Sequence, residues 1–370
     1  MKVIIVGTAY PYRSKVSTFN HCLARQFMDE GNDVEIVTYK YQGMQGNKLS
    51  GDSSPKNLKI TQMINSMNPV SWHKTANYIK ESLPDEVIFA YSNSKMAVCM
   101  GNIAHKLNRA SGIKRVAIVK DMIPEDANVL DRFLPYKFAR NIDGFVYVNK
   151  GIAEDIEHFE KTPKPKKYSN LPISVPYGER IPREMAIEQL SLDPNCRYLL
   201  FFGYIRPYKG IDLLIDAFAD ERIRKYNVKL IIAGEFKDNI QPYIDKIRQT
   251  GVGDYLEIHT EYISNSDVHK YFSAADMIVQ TYKKPKESGV TRMAYHFEKP
   301  MLVTNVKKLA DIVKNGVVGY VVEPNPKDIA DAIVDFYEND RRETFEKNVV
   351  IEKQKFSWGN LTKTIETLFD

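Results

Sequence analysis

Two cations, Arg206 and Lys209, lie in GYIRPYKG (203–210), just after the apolar run Tyr198–Phe202 and just before residues that read as a helix. A helix start presents free backbone N–H groups and the positive end of a dipole, so such a turn attracts phosphate. Arginine adds a planar fork and lysine a point charge. The same two residues are equally compatible with a solvated turn that carries ordinary surface cations. The pattern GxxxxGK[ST] is missing, so this is not a Walker loop. A second stretch, KESGVTRMAYHFEKPMLVTNV (286–306), puts Glu287, Ser288, Gly289 and Val290 between a strand and a helix. Gly289 would let a ligand approach the backbone there, and the following helix would hold a phosphate at its N-terminus. The histidines carry less. His21 and His296 read as ordinary surface or core histidines on helices. No His/Cys/Asp grouping has metal-ligand spacing, and Cys22, Cys99 and Cys196 lie far apart, which fits a reducing cytoplasm.

These loops need elements to position them, and the chain supplies strand and helix in alternation, twice over. Lys2–Gly7 is an apolar strand of the kind covered on both faces. Ser17–Gly31 reads as a helix capped by Ser17, and Asp33–Tyr39 as the next strand. Residues 41–62 read as a polar, turn-rich excursion. Further strands are expected at Glu86–Tyr91, Arg115–Val119 and Phe145–Val148, with helices between. KTPKPKKYSNLPISVPYGERIP (161–182) has five prolines and a basic run, and reads as a linker. Strands then resume at Tyr198–Gly203, Val228–Gly234, Tyr255–His259, Met277–Gln280 and Pro300–Thr304, again separated by helices. Such alternation implies parallel sheets with helices on both faces, and ligands bind beyond the carboxyl ends of their strands. The length of 370 residues suits two domains. They are expected at 1–178 plus 355–370 and at 179–354, with the active cleft between them. With 43% apolar and 27% charged residues the composition is globular, and the net charge of +5 is mildly basic. That charge favours an anionic ligand or a membrane surface without choosing between them. No window of about 18 apolar residues suggests a membrane span. No basic stripe with interleaved aromatics suggests nucleic-acid binding.

The order strand–G–x–x–R–x–x–K–G–helix (203–210), then AGE (233–235), SAADMIVQTY (273–282) and SGV…AY…KP…VT resembles the C-terminal domain of the retaining GT-B glycosyltransferases, family 4. MKVIIVGTAYPYRSKVSTFNHCLARQFMDEGNDVEIVTY looks more loosely like the same family's first strand, loop and helix. KFSWGNLTKTIETLFD resembles its closing helix, which crosses back to the first domain. The resemblance covers most of the chain and is more specific in the second half. It implies an α/β fold of two Rossmann-like domains facing across a cleft. It also implies retaining transfer of a sugar from a nucleotide-sugar donor, UDP- or GDP-linked, to a hydroxyl of a glycan or lipid-linked glycan. The enzyme would be cytoplasmic, a location compatible with peripheral contact at the inner face of the membrane. The first domain would hold the acceptor and the second the donor, without cofactor or metal. Arg206 and Lys209 would neutralise the departing diphosphate. The loop at Gly203 and the start of the helix at Ser288, Gly289, Val290 and Thr291 would hold the same phosphates. Gly234, Glu235, Tyr262 and Ile263 would face the nucleotide base. Glu287 would serve the donor sugar, and Asp121 would contact the acceptor or cap the helix after it.

The chain departs from the family pattern at several loops. Pro285 and Met293 stand where relatives often carry two glutamates, and a thioether cannot replace a carboxylate as a hydrogen-bond acceptor for ribose. Arg13-Ser14-Lys15 and Lys307-Lys308 replace Gly-Gly pairs. Lys120-Asp121 replaces a common His-Asp. These changes imply either an unusual donor or acceptor, or a catalytically inactive paralogue that acts as a binding or partner subunit. A GT-B epimerase or phosphorylase fits the loops less well.

Overall fold

Long apolar runs separated by amphipathic stretches fold here into two parallel sheets. The computed structural model describes residues 1–41, 56–107, 112–123, 129–149, 151–173, 177–284, 288–307 and 309–370. The chain divides into two units, Met1–Ser174 with Lys355–Asp370 and Val175–Gln354.

In unit 1 the strands are β1 (Lys2–Val6), β2 (Asp33–Tyr41), β3 (Lys59–Asn65), β4 (Glu86–Tyr91), β5 (Lys114–Val119), β6 (Gly144–Tyr147) and β7 (Lys166–Tyr168). They pair in parallel in the order β3-β2-β1-β4-β5-β6-β7. The helices are α1 (Lys15–Asp29), α2 (Pro69–Glu81), α3 (Ala97–Lys106), α4 (Leu134–Ala139) and α5 (Ile152–Phe159). Chain order and space then part company, because the helix at residues 358–366 returns to this unit. Its Leu361 and Ile365, with Leu368 just beyond, share one core with Val3, Ile5, Leu23, Phe27 and Ile88.

Unit 2 begins with α6 (Arg183–Gln189) and repeats the plan. Its strands are β8 (Arg197–Phe202), β9 (Val228–Ala233), β10 (Leu256–His259), β11 (Met277–Gln280), β12 (Met301–Thr304) and β13 (Gly319–Val322). They pair in parallel in the order β10-β9-β8-β11-β12-β13. The helices are α7 (Ile211–Phe218), α8 (Glu221–Arg224), α9 (Gln241–Thr250), α10 (Val268–Ala274), α11 (Gly289–His296), α12 (Pro326–Glu338) and α13 (Arg342–Glu352). The returning helix, Trp358–Glu366, is α14. Each sheet reverses its strand order once, between β1 and β4 in unit 1 and between β8 and β11 in unit 2. A ligand crevice opens at such a reversal, outside the carboxyl ends of the strands.

Several expectations need correction. β3 occupies the end of what read as a polar excursion, and β7 lies inside the proline-rich linker. α1 begins at Lys15, because Ser14 rather than Ser17 caps it by accepting the Ser17 N–H at 3.0 Å. Ser17 is instead buried. α6, β13 and α13 had no counterpart in the sequence reading. Among the described residues no helix is long and apolar enough to cross a membrane.

Candidate functional site

The loops after β8 and β11 meet at the strand reversal of unit 2. Past β8 the chain turns through Gly203, then Arg206 opens a single 3-10 turn, Pro207–Lys209, and Gly210 starts α7. Gly210 has φ +68°, and a Cβ there would stand 2.0 Å from the Thr281 carbonyl oxygen. Only glycine fits, both by dihedral and by contact. The loop after β11 grips this turn. Thr281 donates its hydroxyl to the Gly210 carbonyl at 2.8 Å, and the Lys283 N–H reaches the Tyr208 carbonyl at 2.7 Å.

This grip sends the two cations different ways. Arg206 is exposed. Lys209 is only 7% exposed, and its Nζ lies 3.3 Å from where a Cβ on Gly203 would be. Among the described residues no carboxylate pairs with either cation. Burial, helped by the neighbouring Arg206 charge, brings the Lys209 ammonium down to about 8. A buried cation without a counter-ion is costly, and an anion arriving beside Gly203 would relieve that cost.

The second loop ends at α11. Ser288 caps this helix, its Oγ accepting the Val290 N–H at 3.2 Å. A Cβ on Gly289 would meet nothing within 4 Å, so space lies open over the helix start. The Val290 side chain reaches toward Gly203, at 3.9 Å from its Cβ position. Thr291 is buried, and its hydroxyl is hydrogen-bonded with the Gln280 amide at 3.1 Å. At this helix start, therefore, the side chains of Ser288 and Thr291 hold the loop, and backbone faces the opening.

Beside these loops lies a pocket of about 230 Å³. Gly203, Gly234, Glu235, Tyr262, Ile263 and Met293 all line it. The structure thus brings together four residues expected to face a base with the glycine of the phosphate turn. Gly234 and Gly203 touch through backbone: a Cβ on Gly234 would lie 2.5 Å from the Gly203 carbonyl oxygen. Glu235 is paired with Lys237 at 2.7 Å, and the Lys237 ammonium sits over the Tyr204 ring at 4.6 Å. Phe202, Tyr204 and Val268 add apolar wall. No group of His, Cys, Asp and Glu among the described residues could hold a metal ion.

Asp121 belongs to unit 1, exposed in the loop after β5. Glu287 lies outside the described residues, as do Pro285 and Lys308. His21 proved more specific than an ordinary helix histidine: its Nε2 accepts the Tyr10 N–H at 3.0 Å and so ties the loop after β1 to α1. Burial lowers its pKa, consistent with that acceptor role. Thr281 and Tyr282 fall in the motif SAADMIVQTY (273–282) and had no role of their own in the sequence reading. QTYKK held a signal for them, since a tyrosine and a threonine between a buried strand and a lysine pair are candidates to clamp a neighbouring turn.

Residues 182–353, nearly all of unit 2, match the family model of the glycosyl transferases group 1. Unit 2 is thus similar to the glycosyl transferases group 1. Its whole fold is of the GT-B type, with two Rossmann-like domains. The Anabaena protein HepE, solved in complex with UDP, is similar over 99% of this chain and 98% of its own, with TM-score 0.64 at 15% identity. In sequence, a lipopolysaccharide 1,2-N-acetylglucosaminetransferase of Salmonella typhimurium is 26% identical over 51% of this chain and 52% of its own. The match therefore spans about half of that enzyme's length. An uncharacterised glycosyltransferase of Methanocaldococcus jannaschii is 22% identical over 100% of this chain and 98% of its own.

Proposed function

We propose that the protein is a retaining glycosyltransferase that moves a sugar from a UDP- or GDP-sugar to a hydroxyl of a glycan or lipid-linked glycan. The observation that carries this reading is the buried ammonium of Lys209 against Gly203, at the strand reversal of unit 2, with no carboxylate partner among the described residues. UDP in the Anabaena relative and the lipopolysaccharide acceptor of the Salmonella relative support the donor and acceptor classes. Unit 2 would hold the nucleotide, with the base in the pocket of Gly234, Glu235, Tyr262 and Ile263. The diphosphate would lie between Lys209, Arg206 and the start of α11. Unit 1 would hold the acceptor, with Asp121 as a contact, and Glu287 would serve the donor sugar. A lipid-linked acceptor would bring the enzyme to the inner face of the membrane.

In the step itself the acceptor oxygen bonds to the anomeric carbon on the face from which the phosphate leaves. The anomeric C–O bond to phosphate breaks. The acceptor proton passes to the departing phosphate oxygen, so glycoside and nucleoside diphosphate form without a strong protein base. Negative charge grows on the leaving oxygen, and a fixed ammonium in a dry site stabilises it well. The test is calorimetric titration with UDP, GDP and their sugars, without metal, on the wild type and Lys209→Ala. The expected result is binding of one nucleotide that the variant loses, with turnover reduced on the order of 100-fold or more. Unchanged turnover in the variant would sink the assignment. Binding of no nucleotide at all would favour a non-catalytic binding subunit.

A further inference from the structure

Lys209 raises a question of support. A buried ammonium with no carboxylate needs something to hold it in place. Among the described residues one favourable group faces it, the ring of Tyr282, whose centroid lies 5.8 Å from Nζ. The other charge acting on it is Arg206, which repels. Tyr282 is 4% exposed. Its ring is fixed from two sides. Tyr208, from the turn after β8, packs edge-on at 5.8 Å and 88°. The Tyr282 hydroxyl is hydrogen-bonded with Ser288 Oγ at 3.1 Å. That same Oγ accepts the Val290 N–H at the start of α11. A serine hydroxyl has two acceptor lone pairs, so it can take the amide proton and the phenol proton together.

We propose that Tyr282 is a positioning residue: it holds the Lys209 ammonium in register with the start of α11, so that the two loops bind one diphosphate as a unit. This rests on the reading of Lys209 as a phosphate ligand. The hydroxyl explains why tyrosine stands here rather than phenylalanine. A buried phenol needs a partner, and Ser288 is that partner. Burial keeps the phenol protonated, its pKa pushed up to about 12, so it has a proton to donate to Ser288 at any working pH.

The experiment titrates UDP and GDP into Tyr282→Leu, Tyr282→Phe, Ser288→Ala and the double variant Tyr282→Phe/Ser288→Ala, across pH, with uridine and guanosine as phosphate-free controls. Tyr282→Leu should weaken diphosphate binding roughly three- to thirty-fold, the range of a desolvated cation–ring contact. It should also move the upper pH limit of binding downward, because the ammonium loses the favourable face of the Tyr282 ring. Tyr282→Phe keeps the ring and should keep that limit. Its smaller loss and that of Ser288→Ala should not add in the double variant. Nucleoside binding should be unchanged throughout, which reports that the fold is intact. Parallel losses for diphosphate and nucleoside would mean a packing role only, and would overturn the proposal. So would strict additivity, or a Tyr282→Leu variant with unchanged affinity and pH limit. If Lys209→Ala itself leaves diphosphate binding intact, the phosphate reading fails and the proposal falls with it. If Lys209→Ala weakens binding and Tyr282→Leu does not, only the positioning role is lost.

Discussion

The Lys209 ammonium is buried, has no carboxylate partner among the described residues and feels a second cation, Arg206, and each of these conditions makes its charge easier to remove. A lysine lowered to about 8 is charged below that pH and increasingly neutral above it. A bound diphosphate favours the charged form, so affinity should be flat up to about pH 8 and then fall, by up to about tenfold per pH unit. Titrating UDP and GDP from pH 6.5 to 9.5 checks this, with uridine and guanosine as controls. A flat profile above pH 8.5 would mean that Lys209 does not meet the phosphates. Arg206 and Lys209 were legible in the sequence because cations between a buried strand and a helix are visible as types and spacing. Their different fates were not legible. Burial of one and exposure of the other depend on Thr281, some seventy residues later, closing on Gly210.

At the scale of elements, that closure has a cost if disturbed. A non-glycine residue at a left-handed φ costs roughly 1–3 kcal/mol by itself. Gly210 and Gly251 have similar positive φ, but nothing lies within 4 Å of a Cβ on Gly251. Gly210→Ala should therefore lower stability by clearly more than Gly251→Ala, and the excess reports the Thr281 contact. Urea unfolding midpoints of the two variants measure it. Equal losses would show that the turn yields. The elements that sequence reading missed share a physical cause. β3, KITQMIN, buries only Ile64, so it lacks the apolar run of its neighbours. β7 is three half-buried residues, KKY, in a basic segment. α13 buries only Phe345 and Val349 and has little amphipathic pattern to read. In contrast β4, buried along its whole length, was read with its bounds intact.

Across the whole molecule one six-strand order occurs twice, with β7 added at the edge of the first sheet, and each unit keeps its own core. α14 is part of the first of these cores. Phe19 of α1 and Trp358 of α14 pack with ring centroids 5.1 Å apart, and Thr362 donates to Glu30 at 2.7 Å. Leu361, Ile365 and Leu368 are at most 2% exposed. Each buried side chain of this kind is worth roughly 1.5–3 kcal/mol, so together they rival the typical net stability of a domain, about 5–15 kcal/mol. Removing residues 355–370 should unfold unit 1 or bring its melting far down, and leave the melting of unit 2 nearly unchanged. Calorimetric scans with a near-UV signal from Trp72, in unit 1, would separate the two. A single transition shifted as a whole would contradict independent cores.

The return of α14 also sets an order in time. A ribosome releases the chain from its N-terminus, and domains generally fold as units once their residues are out. Unit 2 has all of its residues available when 354 emerges. Unit 1, although it is made first, must wait with Val3, Phe19, Leu23 and Phe27 incompletely covered until 358–368 arrive. During synthesis, then, the half proposed to bind the nucleotide is finished before the half proposed to bind the acceptor.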